Sequence, residues 1–573
     1  MEECIVKVFP NFENPEKIYR TYQRYNIETK QFAKNKAKEF LGGIPLMYDV
    51  PSKCVVVDDT DSHTLVYGST GSKKSRAVVM PAIKILGRAG ESMIINDSKG
   101  ELYNRHSKEL SELNYNIIVI NFRNPAIGNA WNPLSIPYEF YKMGDIDKAS
   151  EFANDIANNL MRGETSSTDP FWDYSASDLM FGLIMLLFRY ASEHSKSNEF
   201  VNIASLIELR RTLFSSNRKA KDTLIWKYAS EDEIISASLS GSVYAPNDTM
   251  NSILSVFDQK MRTFTIQPTL LNMLASNNID IDSVGKQRTA IFLITPDEKT
   301  TYHRLVSLFI KQSYESIIYS ASLNEGNRVN NRINYILDEF SSLPAINDMP
   351  AMISAARSRM IRFLLIVQSK HQLEKRYKEE AATIISNCNN WIFLTSRELD
   401  LLRELSELCG EKANRTPNIS VYDLQHLDKE SNEAIVLCGR MKPAYVKLLD
   451  IDRYDGKNIE VLKIDTPSRQ KREKASFELS KSIRQRLSPV SESRGSGENP
   501  FNRPVKPSVP NSCENDKKEE SSEPILDIDE LVKRIDTKIA QLEEEEVKER
   551  NMKAKTGEYS ARESDRSAEN KEG

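Results

Sequence analysis

An apolar run, Leu65-Val66-Tyr67, leads into Gly68-Ser69-Thr70-Gly71-Ser72-Lys73-Lys74-Ser75 and then Arg76-Ala77-Val78-Val79-Met80, so a glycine-bearing loop joins a strand to a helix. That arrangement suits phosphate groups. Glycines let backbone N–H groups turn inward around a β-phosphate, a lysine in the position of Lys74 reaches the terminal phosphates, and a hydroxyl in the position of Ser75 ligates Mg²⁺. The spacing matches G-x-x-x-x-G-K-[ST] except that Lys73 stands where the pattern has glycine. If position 73 needs a positive φ, lysine costs roughly 1 kcal/mol against glycine, which a folded loop absorbs. Taken alone, the same residues also describe a polar strand-to-helix turn.

A second strand end bears on that choice. Ile333-Asn334-Tyr335-Ile336-Leu337 runs into Asp338-Glu339-Phe340. In a nucleotide site, the first carboxylate of such a pair organises Mg²⁺ and the second orients or deprotonates the attacking water. Without a phosphate loop, an Asp-Glu pair at a strand end is a common solvated turn. A third strand, Ile361 to Val367, ends at Gln368-Ser369, where an amide could sense a γ-phosphate. Ligands of parallel α/β sheets bind at the carboxyl ends of the strands, so the three strand ends converge on one predicted site.

Short apolar strands alternate with helices through Cys54–Val57, Thr64–Tyr67, Met93–Ile95 and Asn116–Ile120, which predicts a mostly parallel sheet covered on both faces. Pro81 should kink the first helix or mark a short opening segment. Between about 145 and 283 the strands disappear. Ala149–Met161, Ser175–Tyr190 and Asn251–Phe264 carry apolar residues at three- and four-residue spacing, predicting an all-α insert. Strands resume at Ala290–Ile294 and continue to Ala434–Leu437. The expected organisation is a leader over 1–50, a nucleotide-binding domain over 51–144 and 284–464, the insert over 145–283, and a tail over 465–573.

The tail is rich in Lys, Arg, Ser, Pro and Glu, a composition that predicts disorder. Within it, Ile528, Leu531, Val532, Ile535, Ile539 and Leu542 form a stripe at helical spacing, a candidate partner-bound helix over 527–548.

Composition narrows the class. A net charge of -4 excludes a generally basic nucleic-acid coat, so any DNA contact is local. The six cysteines form no C-x-x-C pair and the six histidines no metal-ligand spacing, which points to reduced thiols and away from structural zinc. His63 and His106 read as surface or core residues. No stretch approaches the roughly 20 apolar residues of a spanning helix, and residues 1–25 lack the apolar core of a signal peptide, so a cytosolic protein is expected.

Several motifs in one order carry a resemblance: Gly68–Ser75 with Arg76, Asp97-Ser98-Lys99-Gly100-Glu101-Leu102, Trp131-Asn132-Pro133-Leu134, Asp169-Pro170-Phe171-Trp172, Asp338-Glu339-Phe340 and Gln368-Ser369. Over roughly residues 50–450 the chain resembles the coupling-protein ATPases of type IV secretion and conjugation systems, the TraG/TraD type, relatives of the FtsK-like DNA pumps. The resemblance implies a RecA-like P-loop domain with an all-α domain inserted between its halves, a homohexameric ring, and ATP- and Mg²⁺-dependent movement of single-stranded DNA with its relaxase towards a secretion channel. It also implies an arginine after the carboxylate pair, donated to the neighbouring subunit's γ-phosphate. Arg357 best fits that spacing, with Arg359 and Arg362 close by and a surface role open for any of the three. The N-terminal transmembrane helices common in the family are absent from this sequence, which implies a separate membrane-anchoring protein. Asp97 and Lys99 read either as coupling residues or as a surface turn. A recruitment platform that docks protein substrates with little or no nucleotide turnover is the alternative reading, and Lys73 is the feature that favours it.

Overall fold

A computed structural model describes residues 11–33, 41–162, 170–215, 219–296, 302–455, 460–467, 469, 472 and 475–487. Thirteen strands run in chain order: β1 Gln23–Asn26, β2 Gln31–Phe32, β3 Ile44–Asp49, β4 Cys54–Asp58, β5 Thr64–Gly68, β6 Ser92–Asp97, β7 Asn116–Asn121, β8 Thr289–Ile294, β9 Ile333–Leu337, β10 Ile361–Val367, β11 Asn390–Thr395, β12 Glu433–Cys438 and β13 Ala444–Lys447. Nine of them form one sheet in the order β13-β12-β11-β5-β10-β9-β6-β8-β7. The run from β11 to β7 is parallel, and β12 and β13 close one edge antiparallel.

Strands β5, β6, β8, β9 and β10 are buried along their whole length, because both faces of the sheet are covered. Successive side chains point to opposite faces. Accordingly, Leu65, Tyr67, Leu365 and Val367 join one core while Val66, Leu364 and Ile366 join the other.

The insert is helical, as its periodicity predicts, and includes helices Ile146–Met161, Phe171–Glu193 and Asn247–Thr265. Its apolar residues, among them Leu179, Leu183 and Phe257, belong to the same core as Leu65 and Tyr67 on one face of the sheet. One sequence expectation needs correction here. Phe171–Glu193, at 23 residues with a mean hydropathy of 1.2 in its most apolar window, is long and apolar enough to cross a membrane by length and composition. Its residues at 179, 180, 183, 184, 186, 187 and 188 are nevertheless packed inside the insert, which accounts for its apolar character without a bilayer.

Two further differences arise near the ends. Cys54–Val57 reads as part of the parallel sheet, but β4 pairs antiparallel with β1 and β3 in a separate four-stranded sheet of order β2-β1-β4-β3. An apolar run of that length does not encode its partner. Pro45 is accommodated in β3 where the register shifts between Pro45 and Met47. Downstream of 465, residues 475–487 pack against the insert. Leu479 is buried, Phe477 packs on the main core, and the Tyr190 hydroxyl donates to the Ser476 and Glu478 carbonyls at 3.2 and 3.0 Å. The stripe at 528–542 and Asp169 lie outside the described residues.

Pro81 acts as expected, by shortening the first segment. Lacking an N–H, it cannot continue the α-helical ladder, and Ser75–Val79 forms a single π turn in which the Met80 N–H donates to the Ser75 carbonyl. The α-helix proper is Met80–Ala89, ended by Gly90 at φ 81°.

Candidate functional site

The phosphate loop sits between β5 and the π turn, with three strand ends around it. Gly68 must be glycine: an added Cβ would lie 2.4 Å from the Ser72 Oγ and 2.8 Å from the Lys74 Cγ. Gly71 and Lys73 both take left-handed backbone, at φ 77° and 64°. The loop thus adopts at Lys73 the conformation that the motif's glycine would supply. The Lys73 ammonium lies 3.3 Å from Glu430 and 3.9 Å from Asp450, contacts that bridge more than 350 positions of sequence and that local spacing does not reveal. Arg76 anchors the same region by a two-point contact with Asp450 at 2.7 and 2.8 Å, and its Nε lies 2.7 Å from Asp452.

Lys74 is buried and folds over the loop, donating from Nζ to the Gly68 carbonyl at 2.5 Å and the Ser69 carbonyl at 3.1 Å. Burial holds its ammonium below the usual range; Asp338 and Glu339 oppose that shift, and the Lys99 charge adds to it. The Ser75 hydroxyl donates to the Asp338 Oδ2 at 3.2 Å, so the two groups suited to Mg²⁺ meet although 263 positions separate them. Asp338 is 6% exposed. Burial, with the adjacent Glu339 charge, pushes its carboxyl up to about 6, against the pull of Lys74 and Ser75.

Glu339 occupies the left-handed region at φ 53°, a strained conformation for a side chain of that size, and its N–H donates to the Asp338 Oδ1 at 3.0 Å. Asn96, at the end of β6, donates to the Asp338 carbonyl at 2.6 Å and thereby fixes the neighbouring strand end. From the end of β10, Gln368 accepts a hydrogen bond from the Thr70 hydroxyl at 3.2 Å, which brings the amide onto the phosphate loop. Lys74, Ser75, Asp338, Glu339 and Gln368 therefore gather at one sheet edge.

The three arginines part company. Arg362 is 1% exposed and binds Glu91 at 2.6 Å, so it is a core residue. Arg359 donates to the Ala355 carbonyl and the Ser358 hydroxyl beside it. Arg357 is exposed on a short turn that enters β10 at its amino end. Its own phosphate loop lies at the opposite edge, a strand's length of ~23 Å away at about 3.3 Å per residue. Arg357 is thus not part of the site in its own subunit.

His63 and His106 are core residues: burial lowers His63 to about 4 and His106 to about 3. Cys54, Cys388, Cys409 and Cys438 are free thiols, while Cys4 and Cys513 lie outside the described residues.

A parallel sheet with a phosphate loop at one strand end and an acidic pair two strands away defines a RecA-like P-loop fold. The chain belongs to the family described as type IV secretory system conjugative DNA transfer, whose model matches residues 16–445. Among solved structures, it is similar to the bacterial conjugative coupling protein TrwBdeltaN70 in its unbound monoclinic form, with a TM-score of 0.53 and 15% identity, covering 79% of this chain and 93% of that one. It is similar also to the plasmid coupling protein TrwB in complex with ADP and Mg²⁺, with a TM-score of 0.51 and 16% identity, covering 76% of this chain and 100% of that one. At such identities the likeness is one of fold. No curated protein matches the chain significantly by sequence.

Proposed function

We propose that this chain is an ATP-driven coupling protein that recruits single-stranded DNA with its attached relaxase and moves it to a type IV secretion channel. The observation that carries the reading is the meeting of Ser75 with Asp338 beside Lys74 at the carboxyl edge of the sheet. The complex of TrwB with ADP and Mg²⁺ supports it by fold.

In this reading the backbone of Gly68, Ser69, Thr70, Gly71, Ser72 and Lys73 cradles the β-phosphate. Lys74 binds the terminal phosphates, and Ser75 and Asp338 hold the metal. Mg²⁺, when bound, neutralises charge on the β- and γ-phosphate oxygens. Glu339 accepts the proton of the attacking water at its carboxylate. Gln368 orients the γ-phosphate through its amide. Arg357, exposed at the far edge, acts across a subunit boundary, where a cation stabilises charge developing in the transition state. That role requires a closed ring, taken as a homohexamer. The protein works at the inner face of the membrane through an anchoring partner and channel components, and its DNA contacts are mostly to phosphates and steeply salt-dependent.

Lys73 supports a second reading, a platform that docks protein substrates without turning nucleotide over, because its bulk sits in the phosphate loop. Phosphate release with and without single-stranded DNA, combined with the mass of the assembly in ATP, separates the two. The motor is expected to show DNA-stimulated release and a six-subunit mass. Release unchanged by DNA favours the platform.

A further inference from the structure

The turn Ser98-Lys99-Gly100 after β6 is used by none of the roles above, yet it is rigidly built. Asp97, at the end of β6, is buried, and its Oδ2 accepts the Tyr103 N–H at 2.8 Å. Backbone N–H groups of Lys99, Gly100 and Leu102 also turn towards that carboxylate. Gly100 takes φ 76°, and Arg123 donates to the Ser98 carbonyl at 3.4 Å. The backbone of Lys99 is therefore fixed, while its side chain is exposed and has no ion-pair or hydrogen-bond partner among the described residues.

The position of the turn matters. β6 lies beside β9, and Asn96, three residues before Lys99, donates directly to the Asp338 carbonyl at 2.6 Å. The Lys99 charge is close enough to depress the Lys74 ammonium. Other cations around the loop are held by carboxylates: Lys73 by Glu430, and Arg76 by Asp450 and Asp452. Lys99 alone among these four basic side chains has its head group unengaged and sits on the side of Asp338 away from the phosphate loop. Lys74 and Lys99 thus lie on either side of the Asp338-Glu339 turn, and the Lys99 ammonium is the one without a partner among the described residues.

We propose that Lys99 is a further nucleotide-binding residue, which contacts the terminal phosphate of ATP from the β6 side and so distinguishes the triphosphate from the diphosphate. The inference rests on the nucleotide-binding reading above. A diphosphate lacks the terminal group that Lys99 would contact.

The test is calorimetry on the full chain with Mg²⁺, using ADP and a non-hydrolysable ATP analogue, for the wild type, Lys99→Gln and Lys99→Arg. Lys99→Gln is expected to weaken the triphosphate analogue by about tenfold to a hundredfold, the size of a hydrogen bond to a charged group. ADP affinity stays within about twofold, which also reports an intact fold, and Lys99→Arg keeps most of the preference. Equal affinities of Lys99→Gln and wild type for the triphosphate, or an equal loss for both nucleotides, overturn the inference while leaving the ATPase reading in place. A wild type that binds neither nucleotide overturns both.

Discussion

At the amino edge of the large sheet, Arg362 and Glu91 are each 1% exposed and meet at 2.6 Å, Arg332 joins Glu91 at 3.4 Å and Asp61 at 2.9 Å, and Asn334 donates to Glu91 at 3.0 Å. At the carboxyl edge, Lys74 binds only backbone carbonyls of its own loop, Asp338 is driven up to about 6, and Lys99 has no partner among the described residues. Both edges gather charge in one sheet. One compensates each buried charge with an opposite one; at the other, Lys74 and Lys99 have no ion-pair partner among the described residues. The contrast separates charge that holds the fold from charge available for chemistry, and substitutions at the two edges should therefore fail in different ways.

The largest expected effect is at the carboxyl edge. Lys74→Ala should abolish measurable ATP hydrolysis and DNA transfer, a loss of at least about 10²–10³-fold for a group that stabilises transferring phosphate, with the thermal midpoint unchanged. Wild-type turnover in that variant would remove Lys74 from the mechanism. The amino edge should show the reverse. Arg362→Ala leaves Glu91 buried without its partner and is expected to cost about 3–5 kcal/mol of stability by denaturant titration. A variant with wild-type stability but no hydrolysis would show that the amino-edge network serves chemistry after all.

A smaller effect follows from Asp338. Its carboxyl is protonated below about 6, and the protonated form is a poor metal ligand, so Mg²⁺-nucleotide affinity is expected to be flat above neutrality and to fall by up to about tenfold per pH unit below 6. The same fall in Asp338→Asn would assign the pH dependence elsewhere. The smallest effect is at Lys73. Glycine there relieves about 1 kcal/mol of left-handed strain, while the ion pair to Glu430, itself 79% exposed, contributes less than about 1 kcal/mol. Lys73→Gly should thus stay within about 1 kcal/mol of the wild type and keep its turnover. A tenfold loss of nucleotide affinity would instead make the Lys73 side chain a phosphate ligand.

Much of the carboxyl edge was legible in the sequence because each part is local. Gly68–Ser75, Asp338-Glu339 and Gln368 all directly follow apolar strands, and the rule that ligands gather at strand ends brings them together without knowledge of the fold. The insert was legible for a similar reason, since its helices repeat apolar residues at every third or fourth position. What escaped depends on partners distant in sequence. Cys54–Val57 reads like any buried strand, and only pairing with β1 and β3 assigns it to the small sheet. Arg362 and Arg357 look equivalent until burial separates them. The contacts of Lys73 with Glu430 and Asp450, and the docking of residues 475–487 on the insert, likewise leave no periodic or motif signal.

The most direct test of the account is a calorimetric titration of the full chain with ATP at saturating magnesium. Saturable binding of one nucleotide per subunit, lost in Lys74→Ala and retained in a correctly folded Glu339→Gln, is the predicted result. Absence of any binding heat from the folded wild-type protein across a range of temperatures would contradict it.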